Sequence, residues 1–237
     1  MSLILSIDTS LSGCNLALND QAAGIETVTC DDNKYGQSER LIPMINALVA
    51  DAGKTFADIS AIAVTNGPGA FTGMRVGLST ARALAVALNV PVIGFSTLDV
   101  LKRQYQDAHG TSQNLIVILD TKRDDYFVGA WNQGTAVQPA AALCAENIQD
   151  LMSELNGGVL LGNAVEKLQG QVAISDTWAA VEGFAEICPL TLAKIADEYI
   201  AAERVAQSYQ AINAAPNYLK PADVSVSKQH YKKFEGA

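Results

Sequence analysis

Leu3-Ile4-Leu5-Ser6-Ile7-Asp8-Thr9 stands near the start of the chain, and Leu115-Ile116-Val117-Ile118-Leu119-Asp120-Thr121 begins its second half. Each is a short apolar run that stops on an aspartate followed by a threonine, the pattern of a buried strand ending in a turn. After the first run, 13–19 and 24–30 also read as strands. Asn19-Asp20 separates them and Asp31-Asp32-Asn33 ends them, so three strands are joined by hairpins. A helix over 38–52, a strand over Ile59–Thr65, a glycine-rich turn, a helix over 72–88, a strand over 90–95 and a helix over 97–107 follow. The second half repeats the grammar: strands at 115–120, 126–131 and 136–143, a helix at 146–155, a strand at 158–161, a short helix at 164–168, a strand at 172–174 and a long helix at 190–207. Hairpins pair neighbours antiparallel, whereas parallel neighbours need crossovers, so this order specifies a mixed sheet covered by helices, made twice.

That order resembles a duplicated ribonuclease H-like unit, the frame of the actin-like ATPases. The expected class is therefore α/β, two lobes each with a mixed sheet flanked by helices. The expected division is 1–103 for the first lobe, 104–215 for a degenerate second lobe, and 216–237 for a partly disordered C-terminal segment. Composition agrees with a chain that buries a core: 237 residues, 49% apolar. With 16 Lys+Arg against 25 Asp+Glu, a net charge of −9, a stand-alone nucleic-acid binder is disfavoured, because backbone affinity comes mainly from basic side chains. No apolar stretch is long enough to span a membrane, and the N-terminus lacks a basic segment and cleavage site. Cys14, Cys30, Cys144 and Cys188 form no C-x-x-C pair and read as reduced thiols. A cytoplasmic protein without a membrane partner is expected.

Asp8-Thr9-Ser10 could hold a metal-bound phosphate, as in the actin-like ATPases, or could satisfy free amides of the turn. The partner stretch Asp120-Thr121-Lys122-Arg123-Asp124-Asp125 has no glycine for a second phosphate loop, which favours the turn reading. Asn66-Gly67-Pro68-Gly69-Ala70-Phe71-Thr72-Gly73-Met74-Arg75 lies between a strand and a helix, where free amides can bind an anion. It is neither a P-loop nor a dinucleotide loop, and a tight connection explains it equally well. Asp8, Thr9, Gly67, Gly69 and Gly73 are thus the candidates for a vestigial phosphate site. The helix over 72–88 carries Gly73, Gly77, Ala81 and Ala85 at i, i+4 spacing, a flat face for close packing. Leu41, Ile42, Met44, Ile45, Leu48 and Val49 make the helix over 38–52 wider in apolar surface than one buried stripe, which suggests a partner face. Pro43 is expected within or near the first turn of that helix. His109 and His230 flank no catalytic constellation, and no zinc-peptidase or serine-hydrolase motif occurs. The tail from Lys220 carries four lysines against Asp223 and Glu235 and reads as a short polar terminus.

Leu5-Ser6-Ile7-Asp8-Thr9-Ser10, Ser38-Glu39-Arg40-Leu41-Ile42-Pro43, the run from Ile62 through Asn66-Gly67-Pro68-Gly69-Ala70-Phe71-Thr72-Gly73-Met74-Arg75-Val76-Gly77, Phe95-Ser96-Thr97-Leu98 and Pro216-Asn217-Tyr218-Leu219-Lys220 together resemble the TsaB, or YeaZ, family. These are bacterial tRNA threonylcarbamoyladenosine biosynthesis proteins. The resemblance implies a non-catalytic subunit serving modification of the adenosine beside the anticodon in tRNAs that read codons beginning with A. It implies pairing, through the first helices, with a catalytic paralogue, TsaD. A second copy of the chain would take that place when the paralogue is absent. It also implies contact with the ATPase TsaE, and with tRNA mainly through the complex. The interface would comprise Leu41, Ile42, Ile45, Leu48, Val49, Arg75, Gly77, Ala81 and Ala85. ATP and metal would belong to the partners: the paralogue's histidine pair has no counterpart in Thr97-Leu98-Asp99-Val100-Leu101. The chain departs from the family at Gln37, often histidine, and at Asp120-Thr121-Lys122-Arg123-Asp124-Asp125-Tyr126. The rival expectation is an enzyme acting alone, an ATPase using Asp8 and the glycine loop or a glycoprotease-like peptidase.

Overall fold

The computed structural model describes residues 2–33, 35–206 and 214–219. Among the described residues, ten strands form two five-stranded sheets and six α-helices pack on them. The first half contains β1 (Leu3–Asp8), β2 (Cys14–Asp20), β3 (Ile25–Asp31), α1 (Gln37–Asp51), β4 (Ile59–Thr65), α2 (Phe71–Leu88), β5 (Val92–Phe95) and α3 (Thr97–His109). The second contains β6 (Leu115–Asp120), β7 (Tyr126–Asn132), β8 (Thr135–Leu143), α4 (Ala145–Leu155), β9 (Gly158–Leu161), α5 (Val165–Gln169), β10 (Trp178–Ala180) and α6 (Pro189–Ala206). The sheet orders are β3-β2-β1-β4-β5 and β10-β9-β6-β7-β8. In each, the opening strand and two hairpin-joined strands on one side pair antiparallel, neighbour to neighbour, and two crossover strands on the other side pair parallel. The two halves thus have identical connectivity, the ribonuclease H-like arrangement of actin-like proteins.

Three apolar clusters order the layers. α1 and α2 cover one face of the first sheet through Leu41, Ile45, Leu48, Met74, Leu78 and Ala81. α4 and α5 cover the far face of the second sheet through Ile148, Met152 and Leu168. Between the sheets, α3 and α6 share one core with Ile4, Ile93, Val117 and Leu161. Arg103 of α3 fixes that middle layer by a two-pronged bond to Glu198 of α6, at 2.7 and 2.5 Å. No helix among the described residues is long and apolar enough to cross a membrane.

Three expectations need correction. The last strand is Trp178–Ala180 and not 172–174. Val172 N–H closes the end of α5 on the Leu168 carbonyl, and Val172 and Ile174 pack as loop residues on the apolar cluster of the second lobe. Pro43 lies in the second turn of α1. It is exposed there, so the Glu39 carbonyl that loses its helix donor faces solvent. The apolar surplus of α1 is mostly core: Leu41, Ile45, Leu48 and Val49 are all buried, and only Ile42 is exposed, at 44%. The reading of the tail from Lys220 onward lies outside the described residues.

Candidate functional site

The opening strands of both halves end on aspartates, Asp8 and Asp120, and Asp120 lines the cleft between the lobes. Asp8 is fully buried, and its two oxygens are occupied from within the chain. Oδ1 accepts from Ser10 N–H (3.0 Å), Ser10 Oγ (2.6 Å) and Thr65 Oγ1 (2.6 Å), and Oδ2 from Asn15 Nδ2 (3.1 Å). A carboxylate so held closes the β1–β2 turn and ties it to β4. Thr9 Oγ1 donates to the Gly73 carbonyl at 2.7 Å, joining the same turn to the first turn of α2.

The glycines of the loop are explained by this junction. A Cβ on Gly69 would lie well under 3.0 Å from the Ser10 carbonyl oxygen, and one on Gly73 equally close to that of Thr9. Gly67 has a φ of 103°, and its carbonyl accepts from Thr97 N–H at 2.8 Å. Gly77 lies against Thr9 Oγ1 and Ile7, and Ala81 and Ala85 are buried in the same face. The backbone that the small-residue face admits is therefore the chain's own β1. The structure brings Asp8, Thr9, Gly69 and Gly73 together as a packing junction; Gly77, Ala81, Ala85, Leu41, Ile45, Leu48 and Val49 are core residues, not a free partner face.

Asp120 repeats the first turn's geometry, its Oδ1 accepting from Lys122 N–H at 2.9 Å as Asp8 does from Ser10. Here the carboxylate is held by cations: Lys122 Nζ lies 2.7 Å from Oδ2 and Lys167 Nζ 3.0 Å from Oδ1. Burial works to raise the Asp120 pKa, but the bonds from Lys122 and Lys167 outweigh it and bring it down to about 2. Because the folded value lies below the ordinary one, the stabilisation is complete above about pH 4 and is lost as pH falls from there through 2, about 1–2 kcal/mol in all. Lys122 is largely exposed and screened, so Lys167 carries the testable share. In Lys167→Met, Asp120 is expected to titrate at least about one unit higher in a carboxyl NMR titration; an unchanged midpoint would refute that pairing.

Ser10, Pro68, Phe71, Met74, Thr121, Lys122, Phe127 and Asn163 line an interlobe cavity of about 490 Å³, with Asn217, Tyr218 and Leu219 along its rim. The segment 214–219 is strapped there: Ala214 is buried in the first-lobe core, and Asn217 N–H donates to the Asn66 carbonyl at 2.8 Å. Arg75 lies 3.7 Å above the Phe71 ring and donates to Tyr218 Oη at 2.8 Å, while the two rings are 5.5 Å apart. The loop motif and the Pro216-Asn217-Tyr218-Leu219 motif, quoted separately from the sequence, thus meet in space. Cation–ring and ring–ring contacts of this kind contribute about 1–2 kcal/mol together. In Tyr218→Ala, exchange of the Asn217 amide should accelerate about tenfold; unchanged protection would show that the strap is held without the cluster.

What α1 and α2 leave outward is different in character. Ile42, Pro43, Asn46, Ala47 and Ala50 of α1 and Ser79, Ala83, Val86 and Ala87 of α2 are exposed, Val86 at 83%. No charged residue occurs between Leu41 and Ala50, and α2 has only Arg75 and Arg82 in its 18 residues. Arg82 is exposed beside Ala83, so on a chain of net charge −9 this is a small-residue surface with no acidic side chain and one positive charge. Of the interface residues expected on these helices, only Ile42 and Arg75 are exposed. The outward positions lie one or two residues beyond the buried ones, and only the sheet's side of each helix distinguishes them.

Residues 35–230 match the family model described as TsaD, tRNA N6-adenosine threonylcarbamoyltransferase. The chain is 30% identical over 162 residues to the Escherichia coli tRNA threonylcarbamoyladenosine biosynthesis protein TsaB, covering 65% of this chain and 68% of that one. It is 26% identical over 173 residues to the TsaB of Buchnera aphidicola, covering 70% of this chain and 81% of that one. Among solved structures, YeaZ from Pseudomonas aeruginosa superposes with a TM-score of 0.74 at 25% identity, covering 92% of this chain and all of that one.

Proposed function

This chain belongs to the TsaD family and within it stands with the TsaB, or YeaZ, proteins, and from that premise we propose that it serves tRNA threonylcarbamoyladenosine biosynthesis as a non-catalytic scaffold subunit. It docks on its catalytic paralogue through the outward face of α1 and α2, and contributes neither nucleotide chemistry nor a metal of its own. The observation that carries the reading is the small-residue surface without acidic side chains formed by Ile42, Ala47, Ala50, Ser79, Ala83 and Val86 around Arg82 on an acidic chain. Two helices presenting small and apolar residues suit packing against two like helices, since close backbone approach needs small side chains and little charge has to be buried.

The junction chemistry supports the non-catalytic half of the proposal. Phosphoryl transfer needs a carboxylate free to hold a metal against phosphate, and both oxygens of Asp8 are already bonded within the chain. Asp120 is likewise committed to Lys122 and Lys167. The ATPase partner and the tRNA belong to the assembled complex in this reading. Mixing the chain with its TsaD-type paralogue and measuring mass by light scattering should give a one-to-one complex. The chain alone should give a flat trace in an ATP hydrolysis assay with magnesium. Metal-dependent turnover lost in Asp8→Ala would instead establish the stand-alone ATPase.

A further inference from the structure

We propose that Cys30 and Cys188 are a redox-sensitive pair, able to close into a disulfide between the outer strand of the first sheet and the start of α6. Nothing in the tRNA-modification reading depends on them.

The pairing follows from register. Residues directly opposite in antiparallel strands share a face, and residues two apart on one strand do too. Ser6 is opposite Ala17, which is opposite Val28; Asp8 is opposite Asn15, which is opposite Cys30. Ser6, Val28, Cys30 and Glu26 therefore point to one side of the sheet. That side carries α6: Ser6 Oγ donates to the Pro189 carbonyl at 2.7 Å, and Lys194 Nζ lies 3.4 Å from Glu26 Oε1. α6 hence runs from the Ser6–Val28 level toward the Glu26 end. The residues before it climb the other way, toward Cys30, and Glu186 reaches the β1–β2 turn at Ser12. Cys188 lies on that climb, its backbone N–H pinned to Gln104 Oε1 of α3 at 2.8 Å. The Cys30 thiol also registers Cys188 electrostatically. Burial is the larger cause of the raised Cys30 pKa, and the neighbouring Cys188 adds to it.

The other two cysteines are placed elsewhere. Cys14 is buried on the opposite face of the first sheet, and Cys144 sits before α4 in the second lobe, its thiol 3.1 Å from Asn147 Oδ1. Cys30 is exposed and Cys188 half-buried, so a small oxidant reaches the pair.

With a low-molecular-weight disulfide such as oxidised glutathione, the Cys30 thiolate attacks one sulfur and releases one glutathione thiolate. Cys188 then attacks the Cys30 sulfur of the mixed disulfide and releases the second. One disulfide is consumed and one formed, and the two protein protons end on two glutathione thiols. The product joins β3 to the connection that leads from β10 of the second sheet into α6, so closure would restrain the lobes against opening at the interlobe cavity.

The test uses the full chain incubated with oxidised glutathione, alkylated, digested and analysed by mass spectrometry. The expected product is a peptide linked through Cys30 and Cys188, reversed by dithiothreitol, abolished in Cys30→Ser and in Cys188→Ser, and unchanged in Cys144→Ser. Glutathione retained on either residue without the linked peptide, or linkage of either to Cys144, would overturn the pairing.

Discussion

Gly73→Ala is expected to lower the melting temperature by about 6–12 °C. The new Cβ would overlap the Thr9 carbonyl oxygen, which is backbone and cannot rotate away, and would press on the Gln37 side-chain amide. Relief requires α2 to move off β1. That movement strains the bond from Thr9 Oγ1 to the Gly73 carbonyl and the one from Ala70 N–H to the Ser10 carbonyl. Overpacking a close junction costs about 1–3 kcal/mol, and a weakened buried hydrogen bond adds about 1. For a chain of this length each kcal/mol is about 2–4 °C. Gly170→Ala is the control. That residue has helical backbone angles, and the nearest atom to an added Cβ is 3.5 Å away, so its melting temperature should hold or rise slightly. If both variants melt with the parent, α2 and β1 do not form the rigid junction described.

This junction also marks the limit of what could be read from residues alone. The apolar run ending at Asp8 and its echo at Asp120 were legible as strand ends, because burial on both faces leaves an uninterrupted apolar stretch, and their hairpins and crossovers then fixed the connectivity of both sheets. The role of Asp8 was not legible to the same degree. Its donors come from Ser10, Asn15 and Thr65, and the last is 57 residues away with no local pattern to announce it. The meeting of Tyr218 with Arg75, 143 residues apart, had no local signal either, although both residues lay in quoted motifs. The misplaced strand has a plainer cause. Val172 and Ile174 alternate as strand residues do, while Trp178-Ala179-Ala180 buries only one side chain, yet pairing with β9 is decided by the chain's path after α5. On α1, six apolar residues in nine looked like two faces. The sheet takes four, Met44 is half-buried, and Ile42 alone is turned outward.

The second large effect is expected at the outward face, and the corrected burial decides which residues can test it. Substitution by glutamate at Ile45 or Ala81 would place an unpaired charge in the core, so loss of complex there would report only unfolding. Ala47→Arg and Ala83→Arg put the charge where side chains already meet solvent, and each should fold and melt as the parent does. In a mixture with the paralogue, each guanidinium would have to be desolvated without a partner or hold the helices apart, either of which costs several kcal/mol at an interface centre. The expected result is at least a hundredfold weaker complex by light scattering or calorimetry, with tRNA modification in a reconstituted system falling in proportion and recovering at high subunit concentration. The double variant should abolish the complex. Ala179→Arg, on the short outer strand β10 of the second lobe, is exposed and distant from both helices, and should change neither readout. Retained complex and activity in the double variant would move the docking surface away from α1 and α2. A weakened complex with undiminished modification would separate assembly from function and remove the scaffold role.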